Sequence, residues 1–188
     1  MAKENENDVF SKNRIIYFNG TFTENKVQET IKKLLEYEVE DSSKDILMFI
    51  DTNGGYVDSF MAIHDTIKML RSNVATMCIG KAMSCGAMLL ISGTKGKRFI
   101  TPNSRVLIHE LSVSSSGKLS DISRDVTESE RLQKIINSFI LQYTEIKETE
   151  IENFMSKDSY ITAIQAKELN VVDHIVHNYD EMLGKLNL

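Results

Sequence analysis

Proline is nearly absent: Pro102 stands alone in 188 residues, and no Pro/Gly/Ser-rich stretch marks a linker, so a single domain is expected. Cysteine is scarce too. Cys78 and Cys85 form neither a CxxC motif nor a disulfide framework, and they read as reduced thiols of a cytoplasmic protein. The four histidines are scattered without ligand spacing, which argues against a zinc site. No apolar run approaches the roughly 18 residues of a membrane span. The opening "MAKENENDVF" lacks the apolar core of a secretory signal. Basic residues are not in excess: the net charge is −5, so neither nucleic acid nor an anionic membrane is an expected partner. A G-x-x-x-x-G-K-[ST] loop is missing, which excludes ATP hydrolysis of the P-loop kind.

What is present is an ordinary soluble balance, 41% hydrophobic and 26% charged, in a chain long enough to bury a substantial core. Short apolar runs alternate with helix-periodic stretches. "RIIYF" (14–18) reads as a strand, and Val27, Ile31, Leu34 and Leu35 recur at helical spacing after it. "DILMFI" (45–50) is a buried strand meeting a "DTNGG" turn. A helix through Val57, Met61, Ile67 and Leu70 follows, then the strand "VATMCI" (74–79) and a helix containing Ser84. Strands "RFIT" and "SRVLIH" flank "PN"; a long polar helix spans about 119–143, and "IQAKEL" and "VVDHIV" close the chain. Continuous apolar strands alternating with helices predict an α/β fold with a parallel sheet. In such folds chemistry gathers at the carboxyl ends of strands, where "DTNGG", Ser84 and His109 all fall.

Those three features suit acyl transfer: a serine at a helix start, a histidine at a nearby strand end, and glycines that free a backbone N–H. Each also has a structural reading. Serine is a common N-cap, histidine often a packing residue, and "GG" after a strand a turn. The G-x-S-x-G elbow does not apply, because position 82 is Ala.

The blocks "FIDTNGGYVDSFMAIHDTIKML" and "CIGKAMSCGAMLLISGTKGKRFITPNSRVLIHE", followed by "SKDSYITAIQAKELNVVD", resemble the proteolytic subunit of the Clp (caseinolytic) protease. The resemblance runs from Arg14 to about Val176, without a gap from Gly54 to Asp173. It implies a Clp-protease/crotonase-like α/β fold of repeated β-β-α units with a protruding handle helix. The implied layout is a short N-terminal segment (1–13) and one peptidase domain (14–188), with the handle at about 112–147. The implied activity is serine endopeptidase cleavage of unfolded proteins. Ser84 would be the nucleophile, His109 the general base, and Asp158 the carboxylate that orients it. The backbone N–H groups of Gly55 and Cys85 would form the oxyanion hole. No cofactor is implied, ATP being used by a separate subunit. The implied partners are further copies in two stacked heptameric rings, a second Clp-type paralogue, a hexameric AAA+ unfoldase and unfolded polypeptide. Leu47, Phe49, Met77, Ile79 and Phe99 fall where the family docks that unfoldase, although strand core is their plain reading. Leu132, Ile135, Ile136 and Phe139 of the handle are implied ring–ring contacts, where the plain reading is one apolar face of a surface helix.

The chain also departs from the family pattern. "NSPGG" is "DTNGG", Gln is Lys81, a Met is Cys85, "HQP" is "HEL", and an acidic–arginine pair is Ser156 and Lys157. The polar N-terminal segment is short. These departures suit a diverged paralogue, dormant until a partner ring docks. A crotonase-type acyl-CoA enzyme shares the fold, but that class does not require the Ser–His–Asp set present here.

Overall fold

A computed structural model describes residues 9–188. Most of the short N-terminal segment, residues 1–8, therefore lies outside the described residues. One helical turn, α1 (Val9–Lys12), leads into β1 (Ile15–Phe22), α2 (Glu24–Glu40), β2 (Ile46–Gly55), α3 (Val57–Met69), β3 (Val74–Met83) and α4 (Cys85–Ile91). Then come β4 (Arg98–Ile100), β5 (Arg105–Ile108), α5 (Leu119–Tyr143), α6 (Glu148–Met155), β6 (Ser159–Thr162), α7 (Ala163–Glu168), β7 (His174–Ile175) and α8 (Tyr179–Leu183). The seven strands form one sheet, ordered β1-β2-β3-β4-β7, with β5 also beside β3 and β6 beside β5. Every pairing is parallel except β5–β6. No helix among the described residues is long and apolar enough to cross a membrane.

Strand alternation builds two apolar layers, because successive side chains leave opposite faces. Ile46, Met48 and Ile50 of β2 join the main core with α2, α3 and α4. Leu47, on the other face, joins Ile15, Ala75, Met77, Phe99, Val176 and Met182 in a smaller core. α4 sits in the main core with all seven residues buried. The five residues implied for unfoldase docking all lie in the smaller layer. Leu47, Met77 and Phe99 are buried, while Phe49 and Ile79 are half-buried beside Leu183, Leu186 and Leu188.

Two strands run further than their apolar stretches suggest. β2 includes "DTNGG", which is no turn: Gly54 and Gly55 pair with Thr21 and Phe22 of β1. β3 continues through "GKAM" to Met83, leaving no loop before Ser84. The polar composition hides these ends, but the neighbouring strands satisfy their backbone groups. A line of irregularities crosses the three strands at this level. The β1/β2 register shifts between Asn19 and Thr21, around Gly20 at φ 77°. The β2/β3 register shifts between Ile50 and Thr52, opposite Gly80 at φ 78°. Positive φ at both points is readily adopted only by glycine. Thr52 spans this crease, donating from its hydroxyl to the Gly20 carbonyl and accepting from Gly54 N–H at 3.0 Å. Below the crease β3 pairs with β4 (Thr76 to Cys78); above it the same edge pairs with β5 (Lys81 to Met83).

The long polar helix is present as α5, over the span its pattern predicts. From Leu119 to Arg131 none of its residues is buried, consistent with a projecting arm. Its second half enters the main core through Ile136, Phe139 and Ile140. The implied ring–ring role of Ile136 and Phe139 is therefore corrected. Both are consumed by packing within the chain, Phe139 edge-on to Phe60 at 5.4 Å. Leu132 is half-buried and Ile135 exposed. Within the expected parallel sheet, β6 is the one strand among the described residues that runs antiparallel to its neighbour.

Arg98 ties the far side together. Its side chain is 3% exposed and holds Asp173 with two bonds, Nε–Oδ2 at 3.0 Å and Nη2–Oδ1 at 2.7 Å. It also donates to the Tyr143 carbonyl and to Asn170 Oδ1. Burial pushes the Asp173 carboxyl up, but hydrogen bonds and charge from Arg98, with Gly96 N–H, outweigh it and hold it below its ordinary value. Asp173→Ala would leave a buried guanidinium without its counter-charge, so an expected loss of about 3–5 kcal/mol follows, read by urea denaturation.

His64 lies half-buried among Phe60, Phe139 and Tyr143, its Nδ1 2.9 Å from Ser92 Oγ. Burial and the Lys68 charge lower its pKa, against a smaller opposing effect of Asp65. The folded protein thus releases this proton more readily than the unfolded chain. Its contribution is full above the ordinary value of 6.5 and is lost as pH falls through that value toward the lowered one. His64→Gln is expected to flatten the fall in melting temperature between about pH 8 and pH 5.

Candidate active site

Ser84 is the junction between β3 and α4. It occupies the N-cap position at φ 55° and ψ −123°, yet its side chain makes no capping bond. Positive φ in a non-glycine residue costs on the order of 1–3 kcal/mol and persists only where the surroundings impose it. Here they do. Ser84 N–H donates to the Leu107 carbonyl of β5 at 2.9 Å, and Ser84 carbonyl accepts from Ala87 and Met88 in the first turn of α4. With its backbone so held, the hydroxyl is free of the capping role that a serine here usually takes.

Gly54 packs directly against this residue. A Cβ on Gly54 would lie 2.8 Å from both Ser84 Cβ and the Met83 carbonyl oxygen, and 3.2 Å from Cys85 N. A Cβ on Gly55 would strike Phe22 N at 2.8 Å, so both positions exclude a side chain. The end of β2 thus lies along the start of α4, near the N–H groups that have no partner inside the helix. Cys85, 1% exposed, donates from Sγ to the Gly55 carbonyl at 3.1 Å. Burial pushes its thiol up to about 11, and Cys78 up to about 12, so neither is a ready thiolate.

His109 directly follows β5. It shares a cavity of about 240 Å³ with Ser84, Cys85 and Gly55, floored by Val57, Met88, Ile136 and Ile140. Among the described residues no hydrogen bond joins Ser84 to His109. Asp158 comes from the antiparallel pairing. Ile108 faces Ser159 across β5 and β6, so the next rung outward brings His109 beside Asp158. Asp158 Oδ1 is 3.9 Å from His109 Nδ1, an ion-pair distance beyond hydrogen-bond reach. The Asp158 side chain is 66% exposed, against 23% for His109. It lines an adjoining cavity of about 410 Å³, which His109 also lines, together with Ser156 and Lys157.

The fold therefore gathers Ser84, His109, Gly55 and Cys85 around one cavity and sets Asp158 behind the imidazole. Leu47, Phe49, Met77, Ile79 and Phe99 are not part of this group. Two contributors escape a reading of the residues alone. Thr52 accepts the Gly54 N–H two residues on while its own hydroxyl reaches across the crease to Gly20, and the Cys85 thiol grips Gly55. Both depend on pairing between distant segments. Among the described residues no group of three His, Cys, Asp or Glu side chains is placed to hold a metal ion.

The model of one protein family, described as Clp protease, matches residues 2–179. The match takes in the crease, the cavity and the β5–β6 pair, leaving out only residue 1 and residues 180–188. The chain belongs to the Clp protease family.

Proposed function

We propose that this protein is a serine peptidase of the Clp kind, with Ser84 as nucleophile, His109 as general base and Asp158 orienting the imidazole. The observation that carries this reading is the backbone of Ser84. A serine held at positive φ without a capping bond, opening into a cavity with a histidine, has its hydroxyl presented rather than spent. His109 would take the Ser84 proton as Oγ attacks a peptide carbonyl, then return it to the leaving amine. The N–H groups of Gly55 and Cys85 would hold the oxyanion, each such donor being worth about 10²–10³ in rate. Asp158 would select the tautomer that leaves the far nitrogen of His109 facing the serine. No cofactor enters this chemistry. Family membership supports assembly into a ring compartment fed with unfolded polypeptide by a separate AAA+ unfoldase, in the cytoplasm.

A second reading, a subunit dormant until a partner ring docks, is favoured by the loose His109–Asp158 contact and the exposure of Asp158. Ser156 and Lys157 adjoin that contact. Lysine lacks the planar fork with which arginine grips a carboxylate, so a neighbouring subunit would be held less firmly there.

Intact-mass analysis after a fluorophosphonate probe separates the two. The peptidase reading expects one adduct, at Ser84, abolished by Ser84→Ala. A folded, oligomeric protein that stays unlabelled until a second Clp-type ring is added would support dormancy. Labelling in neither condition would overturn the peptidase reading. Where labelling occurs, Asp158→Asn is expected to slow it by up to ~10⁴, the effect of a wrong imidazole tautomer.

A further inference from the structure

Of the two proposed oxyanion donors, Cys85 opens the buried helix α4, whereas Gly55 sits on backbone that no side chain of its own anchors. Gly55, at φ 154°, ends β2, and the next residue, Tyr56, is the N-cap of α3 and makes no side-chain capping bond. Neither Gly54 nor Gly55 has a side chain to pack, and a Cβ at either would collide. Pairing with β1 holds one side of the segment through Thr21 and Phe22. The bond on the side facing α4 comes from Cys85 Sγ, which donates to the Gly55 carbonyl at 3.1 Å. Cys85 itself carries the second proposed donor.

We infer that the Cys85 thiol is a positioning group for the oxyanion hole: its bond to the Gly55 carbonyl fixes the two donor-bearing residues relative to each other. The inference rests on the peptidase reading and deepens it. The thiol needs its proton for this task, and burial keeps that proton on, pushing the pKa up to about 11 against smaller opposing effects of hydrogen bonds with the backbone of Gly55, the Ser84 side chain and its own backbone. Its chemistry is that of a weak S–H donor, not of a nucleophile. The carbonyl it holds belongs to the peptide after Gly55, while the oxyanion donor is the N–H before it. Fixing one end of a glycine whose torsions no side chain restrains limits rotation at the other.

Three proteins test the assignment: wild type, Cys85→Ala and Cys85→Ser. Each is measured for the rate of Ser84 labelling by the fluorophosphonate at varied probe concentration, and for hydrogen–deuterium exchange over residues 53–57. The alanine variant removes the donor; serine restores it at slightly shorter reach. Expected is a labelling step slowed about tenfold or more in Cys85→Ala, with unchanged probe affinity. Exchange over 53–57 is faster in that variant, and Cys85→Ser stays within about threefold of wild type in labelling. Serine as slow as alanine would mean that volume, not the donor, matters, and would overturn the inference. So would alanine labelling at the wild-type rate, or unchanged exchange. Should wild type stay unlabelled even with a second Clp-type ring added, the peptidase reading fails separately. Exchange then decides the tether: faster in alanine than in serine upholds it, and equal rates overturn it.

Discussion

The reactive region depends on one constraint: the chain must leave β3 and enter α4 within a single residue. Ser84 is that residue, and its positive φ is the cost of so abrupt a change of direction. The first turn of α4 holds only its carbonyl. The hold comes from Leu107, which takes the Ser84 N–H into the β3–β5 pairing, and from a buried helix that cannot shift. An interior packed at crystalline density lets α4 act as a fixed post. The serine hydroxyl projects because the backbone beneath it has no room to relax.

The crease across β1, β2 and β3 supplies the rest. Where the register slips at Gly20 and Gly80, β3 changes neighbours along one edge, from β4 below to β5 above. That exchange brings His109 to the level of Ser84. β5 in turn pairs antiparallel with β6, which returns Asp158 to the same level. Parallel strands alone would have set residue 158 at a carboxyl end only after a full crossover. The same crease carries Gly54 and Gly55 beyond the last rung that β2 shares with β3, where Thr52 holds the Gly54 N–H and Cys85 the Gly55 carbonyl.

Much of this was legible in the residues. The strand cores are uninterrupted apolar runs, and the periodicity of α5 marks both its ends. The strand-end placement of Ser84 and His109 follows from topology. The continuation of β2 and β3 through "DTNGG" and "GKAM" was not legible, since glycine, asparagine and lysine resemble loop until the neighbouring strands supply their partners. β6 is four residues long and half exposed, too short for its alternation to stand out. Asp158 came only from likeness to a family, because one acidic residue among 27 has no local mark. Ile136 and Phe139 show the reverse failure. Likeness assigned them to contacts between rings, and the packing of this chain uses them itself.

The crease has a further consequence for how substitutions register. Below it lie the apolar rungs of β1 to β4 and the Arg98–Asp173 clamp. A change there is felt by the whole cooperative unit, as a lower melting temperature. Above it lie short pairings, bare glycine backbone and single hydrogen bonds, which set where a proton and an oxyanion can go. A change there is felt as a slower reaction in a protein that still melts where it should. One sheet thus holds two mutational landscapes, divided at Gly20 and Gly80.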